Sequence, residues 1–300
     1  MNAAAALAQL LPDIRQAWSQ LAHHRLRTAL TLLGMVFGVG AVIAMLAVSE
    51  GGRRQALEMI EGMGVRNLIV EAAEPDGEAL KDIRRHSAGL TTADARAITD
   101  TLPFIEAWSG VRAFEVWDLF SREGTSDAEV WAVSPGYFAL SRLGAEQGAL
   151  FTDAQDARFE QVAVLGSAAA RDLFPNGGAV GGLIKVNHLW LQVIAVLVDR
   201  QLPDARFQGR AVGGDSERIY LPLQTGLKRL KLEPLKAELT QLKLKVSKAV
   251  TPTAAAAAVE HLLARRHGGQ NDYRLTVPAR LLAQRQQTQR ISTIVMSAVA

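Results

Sequence analysis

The sequence predicts an α+β protein whose soluble part is anchored in a membrane by one N-terminal helix. Residues 28–49 carry no charged side chain, and a helix of this length reaches roughly 33 Å, enough for a hydrocarbon core of about 30 Å. The mean hydropathy of the 300 residues is only +0.09, which fits one span attached to a large water-soluble part. Between residues 50 and 277, helix-like and strand-like patterns alternate.

Basic residues mark the side on which the span begins. Arg25 and Arg27 stand before the apolar run, and Glu50 follows it. Because cytoplasmic flanks of membrane helices are rich in Lys and Arg, the two arginines predict a cytoplasmic N-terminus and an outer location for the remainder. A cleaved secretory signal and a buried core helix are the alternatives. A signal has a shorter apolar stretch, of about 7 to 15 residues, and a core helix is seldom apolar on every face.

Two further features belong to this membrane segment. Residues 1–27 are predicted to form a cytoplasmic or interfacial amphipathic segment, in which Trp18 suits the headgroup region. Inside the run, Gly34 and Gly38 form a GxxxG pattern and Gly40 continues the small surface. These three glycines are candidates for close packing against another helix. Glycine is also common in membrane helices generally, and that interpretation stays open.

The last residues, 278–300, are predicted to form a stalk and the start of a second membrane helix. The sequence passes from a stretch with Arg285 and Arg290 into the apolar ISTIVMSAVA. Ten residues cover only about 15 Å as a helix, which is half of a crossing. We therefore expect that the natural protein continues beyond Ala300 or that the chain is a truncated product.

The first soluble segment, residues 50–133, has the pattern of α/β structure. The helix RRQALEMIEG is predicted to end at Gly62, and the strand VRNLIVEA follows it. Thr91 is predicted to cap the next helix, with Asp94 three positions later as in a capping box. Strands are then expected at 111–120 and 127–133.

Residues 134–217 carry a second pattern that is richer in strands. QVAVLG is predicted to be a strand, and Ser167 to cap the helix SAAARDLF. LIKVNHLWLQVIAVL is predicted to be a hairpin that turns at Asn187 and His188. The polar residues 199–215 are expected to form either a mobile loop or a contact surface.

Residues 218–277 return to α/β alternation. RIYLPL is predicted to be a strand, and Pro222 opens the following helix. In LTQLKLKV the apolar side chains alternate with Lys243 and Lys245, which predicts a half-buried strand with the apolar set on one face. Thr251 is expected to cap a helix that begins at Pro252, and YRLTV supplies the final strand.

Sequence signals for a bound nucleotide, metal or nucleic acid are absent. The chain has no GxxxxGK[ST] loop, so any ATP is expected to bind a partner subunit. Its six histidines include no HExxH pair, and His261 and His267 fall on different helix faces. It has no cysteine, which excludes disulfides and thiolate metal sites. The net charge of +3 is dispersed, unlike the basic patch of a nucleic-acid binder. We predict no cofactor, metal or nucleic acid for this chain.

The remaining reactive side chains do not form a catalytic pattern. Ser167 lacks the surrounding GxSxG. Three carboxylates lie close in sequence and are more typical of a solvated patch than of an acid and base pair: Asp153, Asp156 and Glu160. Four tryptophans are expected to fill the core: Trp108, Trp117, Trp131 and Trp190. We therefore predict no catalytic residue and no enzyme activity.

The order of these segments resembles the MacB-like and FtsX-like permease family of ABC transporters. The resemblance is carried by HRLRTALTLLGMVFGVGAVIAMLAVSEGGRRQALEMIEGMGVRNLIV, then SPGYFAL, QVAVLG with ARDLF, RIYLPL and LLAQRQQTQRISTIVMSAVA. Together these pieces span nearly the whole chain. Each is weak by itself, but their joint order and spacing are fairly specific.

This resemblance implies a periplasmic core of two lobes, one of which is built from chain on both sides of the other. Residues 50–133 and 218–277 would form the split α/β lobe, and residues 134–217 the inserted β-rich lobe. The family permease has four membrane helices, whereas this sequence holds one complete span and the start of another. That difference argues against independent transport.

The resemblance also implies a function. Such a chain is a permease subunit that couples ATP hydrolysis by a separate cytoplasmic ATPase to movement of its periplasmic domain, in efflux, export or lipoprotein release. It implies the bacterial inner membrane, a homodimer or paired permease, and a periplasmic adaptor as a further partner. EGGRRQALEMI and PARLLAQRQQTQR would be stalks that transmit motion, or simple tethers. The alternative is a membrane-tethered periplasmic interaction or sensor module without transport.

Overall fold

A computed structural model of the protein describes residues 25–62, 66–73, 77–199, 205–207, 210–212 and 214–280. The chain divides into two compact units, Met1–Ala56 and Leu57–Ala300. The predicted second membrane helix and most of the predicted interfacial segment lie outside the described residues. The polar segment 199–215 is described in part, and it contributes the short strands Ala205–Phe207 and Arg210–Val212.

The apolar run lies in one long helix, α1 (Arg25–Gly62), whose predicted end at Gly62 is confirmed. In the described part of the chain, this is the one helix that is long and apolar enough to cross a membrane. The candidate span is Arg25–Met45, with a mean hydropathy of 2.1 and none of its most apolar stretch buried. The side chain of Phe37 is 68% exposed. Length and composition are the properties that mark it as a span.

The second unit has a large sheet with short helices on it. Its helices are α2 (Glu78–Arg84), α3 (Thr92–Thr101), α4 (Gly136–Leu140), α5 (Asp153–Ala157), α6 (Ser167–Leu173), α7 (Leu223–Arg229) and α8 (Pro252–Arg266). Its strands are β1 (Asn67–Ala72), β2 (Ile105–Phe114), β3 (Leu119–Phe120), β4 (Glu129–Val133), β5 (Ala145–Gly148), β6 (Val162–Leu165), β7 (Leu183–Val186), β8 (Leu189–Leu197), β9 (Ala205–Phe207), β10 (Arg210–Val212), β11 (Arg218–Pro222), β12 (Gln241–Val246) and β13 (Tyr273–Thr276). The predicted α+β class is confirmed.

Among the described residues, eleven strands form one continuous sheet in the order β13-β1-β12-β2-β4-β11-β6-β8-β7-β3, and β5 pairs with β8. Neighbours are antiparallel except β4 with β11 and β6 with β8, which are parallel. The link between β11 and β6 is short, with Ile219 opposite Leu165 and Tyr220 opposite Val164. β9 and β10 form a separate two-stranded sheet.

Both faces of the sheet are buried near its middle. On β11, Ile219 and Leu221 belong to the larger core, which α3 and α8 also line, whereas Tyr220 belongs to a smaller core. Successive side chains of a strand point to opposite faces, so the two cores lie on opposite sides of the sheet. The smaller core contains Tyr137 and Phe138 of α4. After Arg218, the strand RIYLPL is therefore apolar, because neither of its faces meets water.

Several local predictions are confirmed. Thr91 and Asp94 form the capping box of α3, in which the Thr91 side chain accepts from the Asp94 N–H. β7 and β8 pair as an antiparallel hairpin that turns at Asn187 and His188. The Thr251 side chain caps α8 and accepts from the Ala254 N–H. These signals are local, so the chain around each one determines the outcome.

The prediction that Ser167 caps α6 is wrong. Gly166 occupies the cap position, and α6 has no side-chain cap. A Cβ at residue 166 would lie 2.2 Å from the Asp215 carbonyl oxygen, so this close approach of two chain segments requires glycine. Ser167 becomes the first helical residue, and its buried hydroxyl oxygen has no hydrogen-bond partner among the described residues.

The strand predicted at 111–120 is interrupted. β2 ends at Phe114, and β3 pairs with β7 at the other edge of the sheet. Between them, the Asn187 side chain accepts from the Trp117 N–H at 3.0 Å and donates to the Glu115 carbonyl at 3.0 Å. A side chain about 70 residues away therefore holds this loop, and no local pattern predicts it.

The strand order bears on the predicted two-lobe division without testing it. Strands from residues 50–133 and 218–277 lie on one side of the β11–β6 link, and strands from residues 134–217 lie on the other, except β3. One sheet runs through both groups. The division into a split lobe and an inserted lobe stays a prediction.

Candidate functional site

The three predicted packing glycines lie on exposed surfaces of α1. A Cβ on Gly34, Gly38 or Gly40 would have nothing within 4 Å. Gly34 and Gly38 are about one turn apart and share a face, whereas Gly40 is rotated by about 120° from Gly34 at about 100° per residue. Gly40 therefore belongs to a different face of the helix. Their role in helix packing stays a prediction.

The two arginines predicted to set orientation lie in the first turn of the same helix. Arg25 and Arg27 are exposed, and the Arg27 carbonyl accepts a hydrogen bond from the Thr31 hydroxyl at 2.7 Å. Their position at the start of the candidate span is the one that the positive-inside rule requires. The orientation itself stays a prediction.

A buried polar cluster lies beside the short β11–β6 link. Arg218 of β11 donates from Nε to Glu129 at 3.0 Å and from Nη1 to Asp215 at 3.2 Å. Its guanidinium carbon lies 3.9 Å from the ring centroid of Trp131. The Tyr220 hydroxyl donates to the same Asp215 oxygen at 2.7 Å. These bonds connect β4, β11 and the short 3₁₀ turn Asp215–Glu217.

Lys243 of β12 extends this cluster under α4. Its ammonium donates to the Ser141 hydroxyl at 2.8 Å and lies 4.2 Å from the ring centroid of Tyr137. Lys243 is 8% exposed, and burial lowers the pKa of its amine to about 8. Burial also raises the pKa of the Tyr137 phenol. The sequence pattern placed this lysine on an outer face, but α4 covers that face.

We refer to the following residues as the junction cluster: Trp131, Tyr137, Asp215, Arg218, Tyr220 and Lys243. The rings of Tyr137 and Tyr220 are 5.6 Å apart, and both residues are at most 2% exposed. A substrate has no access to groups buried to this degree. The cluster is therefore structural: charge-assisted bonds and cation–π contacts join β4, β11, β12, α4 and the turn at Asp215 beside the sheet link.

A second buried network joins α3, α8 and the segment before β13. His267 Nδ1 lies 2.6 Å from Asp272 Oδ1, and His267 Nε2 lies 3.5 Å from Asp94 Oδ2. Arg266 pairs with Asp94 at 2.6 Å, and Arg84 pairs with Asp272 at 3.3 Å. Two carboxylates thus face the imidazole, and two guanidinium groups balance them.

The charges of this network shift its titration. Burial acts to lower the pKa of His267, but hydrogen bonds and charge from Asp94 and Asp272 raise it overall. Burial acts to raise the pKa of Asp94, but hydrogen bonds from His267, Arg266 and Thr91 bring it well below its usual range. The protonated imidazole is the form that satisfies both carboxylates.

An open cleft of about 410 Å³ lies between the segment before β4 and α6. It is lined by Thr125, Ser126, Asp127, Ala128, Ala168, Asp172 and Glu217. The Ser126 hydroxyl donates to Asp172 at 3.1 Å. Across the described ranges, no group of three or more His, Asp or Glu side chains is arranged to hold a metal ion.

The predicted acidic patch is not a uniformly solvated surface. Asp156, in the first turn of α5, is 9% exposed and accepts from the Gln224 N–H at 2.8 Å. Burial raises the pKa of its carboxyl. The Glu160 carbonyl accepts from the Thr225 hydroxyl at 2.9 Å. Asp156 and the Glu160 backbone therefore fix the start of α7, and the prediction is wrong for Asp156.

The four tryptophans divide into two pairs. Trp108 and Trp131 are partly buried and pack against the larger and the smaller core, as predicted. Trp117 and Trp190 are 69% and 45% exposed, so the prediction that they fill the core is wrong. Trp117 precedes β3, and Trp190 of β8 lies opposite Lys185 of β7, so both are near this edge of the sheet.

The sequence is similar to curated export proteins. Macrolide export ATP-binding/permease protein MacB of Wolinella succinogenes is 28% identical over 298 residues, which cover 98% of this chain and 43% of that protein. Pyoverdine export ATP-binding/permease protein PvdT of Pseudomonas aeruginosa is 28% identical over 298 residues, which cover 98% and 42%. The chain thus spans less than half the length of these curated relatives.

The fold has a solved counterpart. The crystal structure of the periplasmic region of MacB from Actinobacillus actinomycetemcomitans superposes with a TM-score of 0.60 at 21% identity, and it covers 77% of this chain and 97% of that one. The sequence profile of the MacB-like periplasmic core domain matches residues 28–262, from the start of the apolar run almost to the end of α8. This chain belongs to the family of proteins with a MacB-like periplasmic core domain.

Proposed function

We propose that this chain is a permease subunit of an ABC transporter in the bacterial inner membrane, and that its large unit lies in the periplasm. In this proposal, ATP hydrolysis by a separate cytoplasmic subunit moves the periplasmic unit. The names of the relatives combine export, ATP binding and permease, which supports the class of machine. Arg25 and Arg27 before the apolar run support the orientation.

One observation carries the coupling part of the proposal. α1 runs without a break from Arg25 through the apolar run to Gly62, a length of about 57 Å at 1.5 Å per residue. No proline interrupts it, so no residue creates an obligatory kink. A continuous helix that starts in the membrane segment and continues beyond it is suited to transmit a tilt or a displacement.

The proposed partners follow from the same role. A cytoplasmic ATPase supplies the hydrolysis, and a second permease copy packs against the Gly34 and Gly38 face of α1. A periplasmic adaptor is the proposed outer partner, and membrane lipid surrounds the span. The cargo belongs to the classes exported or released by such machines: a drug, a peptide or a lipoprotein.

Gly51 offers a sharp test of the coupling. A Cβ at this position would meet nothing within 4 Å, so Gly51→Ala keeps the helix. Gly51→Pro removes one backbone hydrogen bond and kinks the helix, at a cost of about 3 kcal/mol. Both variants are copurified with the ATPase from membranes. A probe is attached to one introduced cysteine in the large unit, since the native chain has none.

Coupling predicts an ATP-dependent change in probe signal for the native chain and for Gly51→Ala, and its loss in Gly51→Pro. Binding of the ATPase should persist in all three. An equal ATP response in both variants would contradict the lever role of α1. If no ATPase copurifies with the native chain, the chain is instead a tethered interaction or sensor module.

A further inference from the structure

Asn176 differs from the other asparagines of the chain in the residue that follows it. Of the five asparagines, it alone precedes a glycine, in the sequence PNGG. Because the Cα of glycine carries no side chain, the nitrogen of Gly177 can approach the Asn176 side chain without steric hindrance. Both residues are exposed. The side-chain amide and the backbone nitrogen therefore lie next to each other where water reaches them.

A β-turn holds this pair at the surface. A hydrogen bond from the Gly177 N–H to the Phe174 carbonyl closes it at 3.0 Å, and Pro175 occupies the second position, where proline is favoured. Gly177 and Gly178 have φ values of +81° and +73°, and a Cβ on either would meet nothing within 4 Å. The turn can therefore open locally without disturbing the core.

The Asn176 side chain connects this turn to a neighbouring loop. Among the described residues, its amide makes a single hydrogen bond, from Nδ2 to Glu123 Oε2 at 3.3 Å. Glu123 belongs to the loop between β3 and β4. Thr125 of the same loop lines the open cleft together with Asp172 of α6. The bond of Asn176 thus holds one point of a loop that forms a wall of the cleft.

The other asparagines in the described part of the chain lack this combination. Asn67 and Asn187 are each 5% exposed, and their amides donate to backbone carbonyls at 2.9 and 3.0 Å. Asn271 is exposed like Asn176, but the side chain of Asp272 follows it and hinders the approach of the nitrogen. Asn271 is therefore an internal control for the effect of the following residue.

We propose that Asn176 is a site of spontaneous deamidation. The Gly177 nitrogen attacks Asn176 Cγ and forms a new C–N bond, while the bond from Cγ to Nδ2 breaks. The proton that the Gly177 nitrogen loses leaves with the amide group as ammonia. Water then opens the succinimide ring, adding hydroxyl to one of its two carbonyl carbons and a proton to the nitrogen. One opening gives aspartate, and the other gives isoaspartate.

The modification replaces a hydrogen-bond donor by a carboxylate. Glu123 then faces a like charge where the Asn176 amide had been, so the bond between the turn and the loop is lost and the two side chains repel each other. The site depends on the local sequence and geometry and not on the proposed role of the chain in transport.

The first experiment measures conversion in the full chain in detergent. The chain is incubated in mildly alkaline buffer, because the attacking nitrogen must lose its proton. Peptide mapping by mass spectrometry follows each asparagine, and an isoaspartyl methyltransferase labels the isoaspartate product. Asn176→Gln is the matched control, because its longer side chain would have to close a six-membered ring.

Conversion at Asn176 should be at least about tenfold faster than at Asn271, since only glycine leaves the attacking nitrogen unhindered. Asn176→Gln should show no conversion at this position. Equal rates at the two asparagines would overturn the proposal. Retention of the amide at residue 176 in the folded chain would also overturn it, whether or not the same chain converts there in urea.

The second experiment tests the effect on the loop. Asn176→Asp reproduces the aspartate product, and amide hydrogen exchange in residues 121–125 should become about threefold faster, because one exposed hydrogen bond to the loop is lost. Adding Glu123→Gln places a donor opposite the new carboxylate and should restore the native exchange rate. Unchanged exchange in Asn176→Asp, or a failure of Glu123→Gln to restore it, would overturn the proposed effect on the loop.

Discussion

The ammonium of Lys243 lies 4.2 Å from the ring centroid of Tyr137 in a site that α4 closes to water. Among the described residues, this amine donates its one side-chain hydrogen bond to the Ser141 hydroxyl, at 2.8 Å, and no carboxylate there forms an ion pair with it. Burying the Lys243 ammonium costs folding free energy, because the Tyr137 ring and the Ser141 hydroxyl replace only part of the hydration that the ammonium has in water.

Lys243→Met should therefore stabilise the domain at pH 7, by about 1 to 3 kcal/mol. Burial lowers the pKa of this amine to about 8, whereas the unfolded chain keeps the proton up to about pH 10.4. The native protein should thus gain stability between about pH 8 and 10, and the variant should lack this gain. Urea unfolding of the full chain in detergent, followed by tryptophan fluorescence, measures both. Lys245→Met, at an exposed position on the same strand, should change little, and a loss of stability in Lys243→Met would contradict the assignment.

The His267 network predicts the opposite pH trend. The pKa of His267 is raised by Asp94 and Asp272 despite burial, so its contribution is complete below about pH 6.5 and disappears as pH rises through the folded value. His267→Gln should lower the free energy of unfolding by about 3 kcal/mol at pH 6, because it leaves two buried carboxylates without their shared cation. The loss should shrink at pH 9. His261→Gln serves as the control, and a pH-independent loss would mean that the imidazole is neutral in the folded state.

Asn187 allows backbone strain to be separated from hydrogen bonding. It has a φ of +54°, and its amide holds the loop at residues 115–118. Asn187→Ala removes the side-chain hydrogen bonds and disfavours the positive φ, so it should lower the free energy of unfolding by about 2 to 4 kcal/mol. Asn187→Gly removes only the hydrogen bonds and should lower it by about 1 kcal/mol less. Thermal unfolding of the pair measures the difference. Equal costs would show that the side-chain bonds carry the whole effect.

The face of α1 that carries Gly34 and Gly38 should be the one that meets another helix. Gly34→Leu or Gly38→Leu should reduce association between copies by about tenfold, because a leucine prevents close backbone approach. Gly40→Leu lies about 120° away and should leave association unchanged. Energy transfer between labelled chains in micelles provides the measurement. A larger effect for Gly40 would assign the contact to the other face.

The elements that could be predicted are those whose signals are contained in a few neighbouring residues. The capping box of Thr91 with Asp94 and the turn at Asn187 both formed as expected, since each depends on local geometry. The predictions failed where distant chain covers or holds a residue. α4 buries Lys243, and the Asp215 backbone occupies the space beside Gly166. No periodicity within a strand or helix reports such contacts.

The residues of the candidate site could likewise be predicted only where a local pattern marks them. The glycines of α1 and its flanking arginines could be proposed from the sequence because membrane helices follow composition rules, and their roles stay predictions. The junction cluster could not be predicted because the groups that contact Arg218 and Lys243 come from distant segments: β4, α4 with its C-terminal residue Ser141, and the turn at Asp215. The apolar run IYLPL after Arg218 was the available signal that both faces of β11 are covered.

The short link between β11 and β6 has a mechanical consequence. β12 and β2 are joined along six residue pairs, whereas this link has two, so the bending stiffness of the sheet falls sharply at Tyr220. If a force acts on one edge of the sheet, we expect the sheet to bend at this link. Resistance to that force would come from the few hydrogen bonds that cross the link, such as that from the Gly166 N–H to the Arg218 carbonyl at 2.7 Å and that from the Thr225 hydroxyl to the Glu160 carbonyl at 2.9 Å.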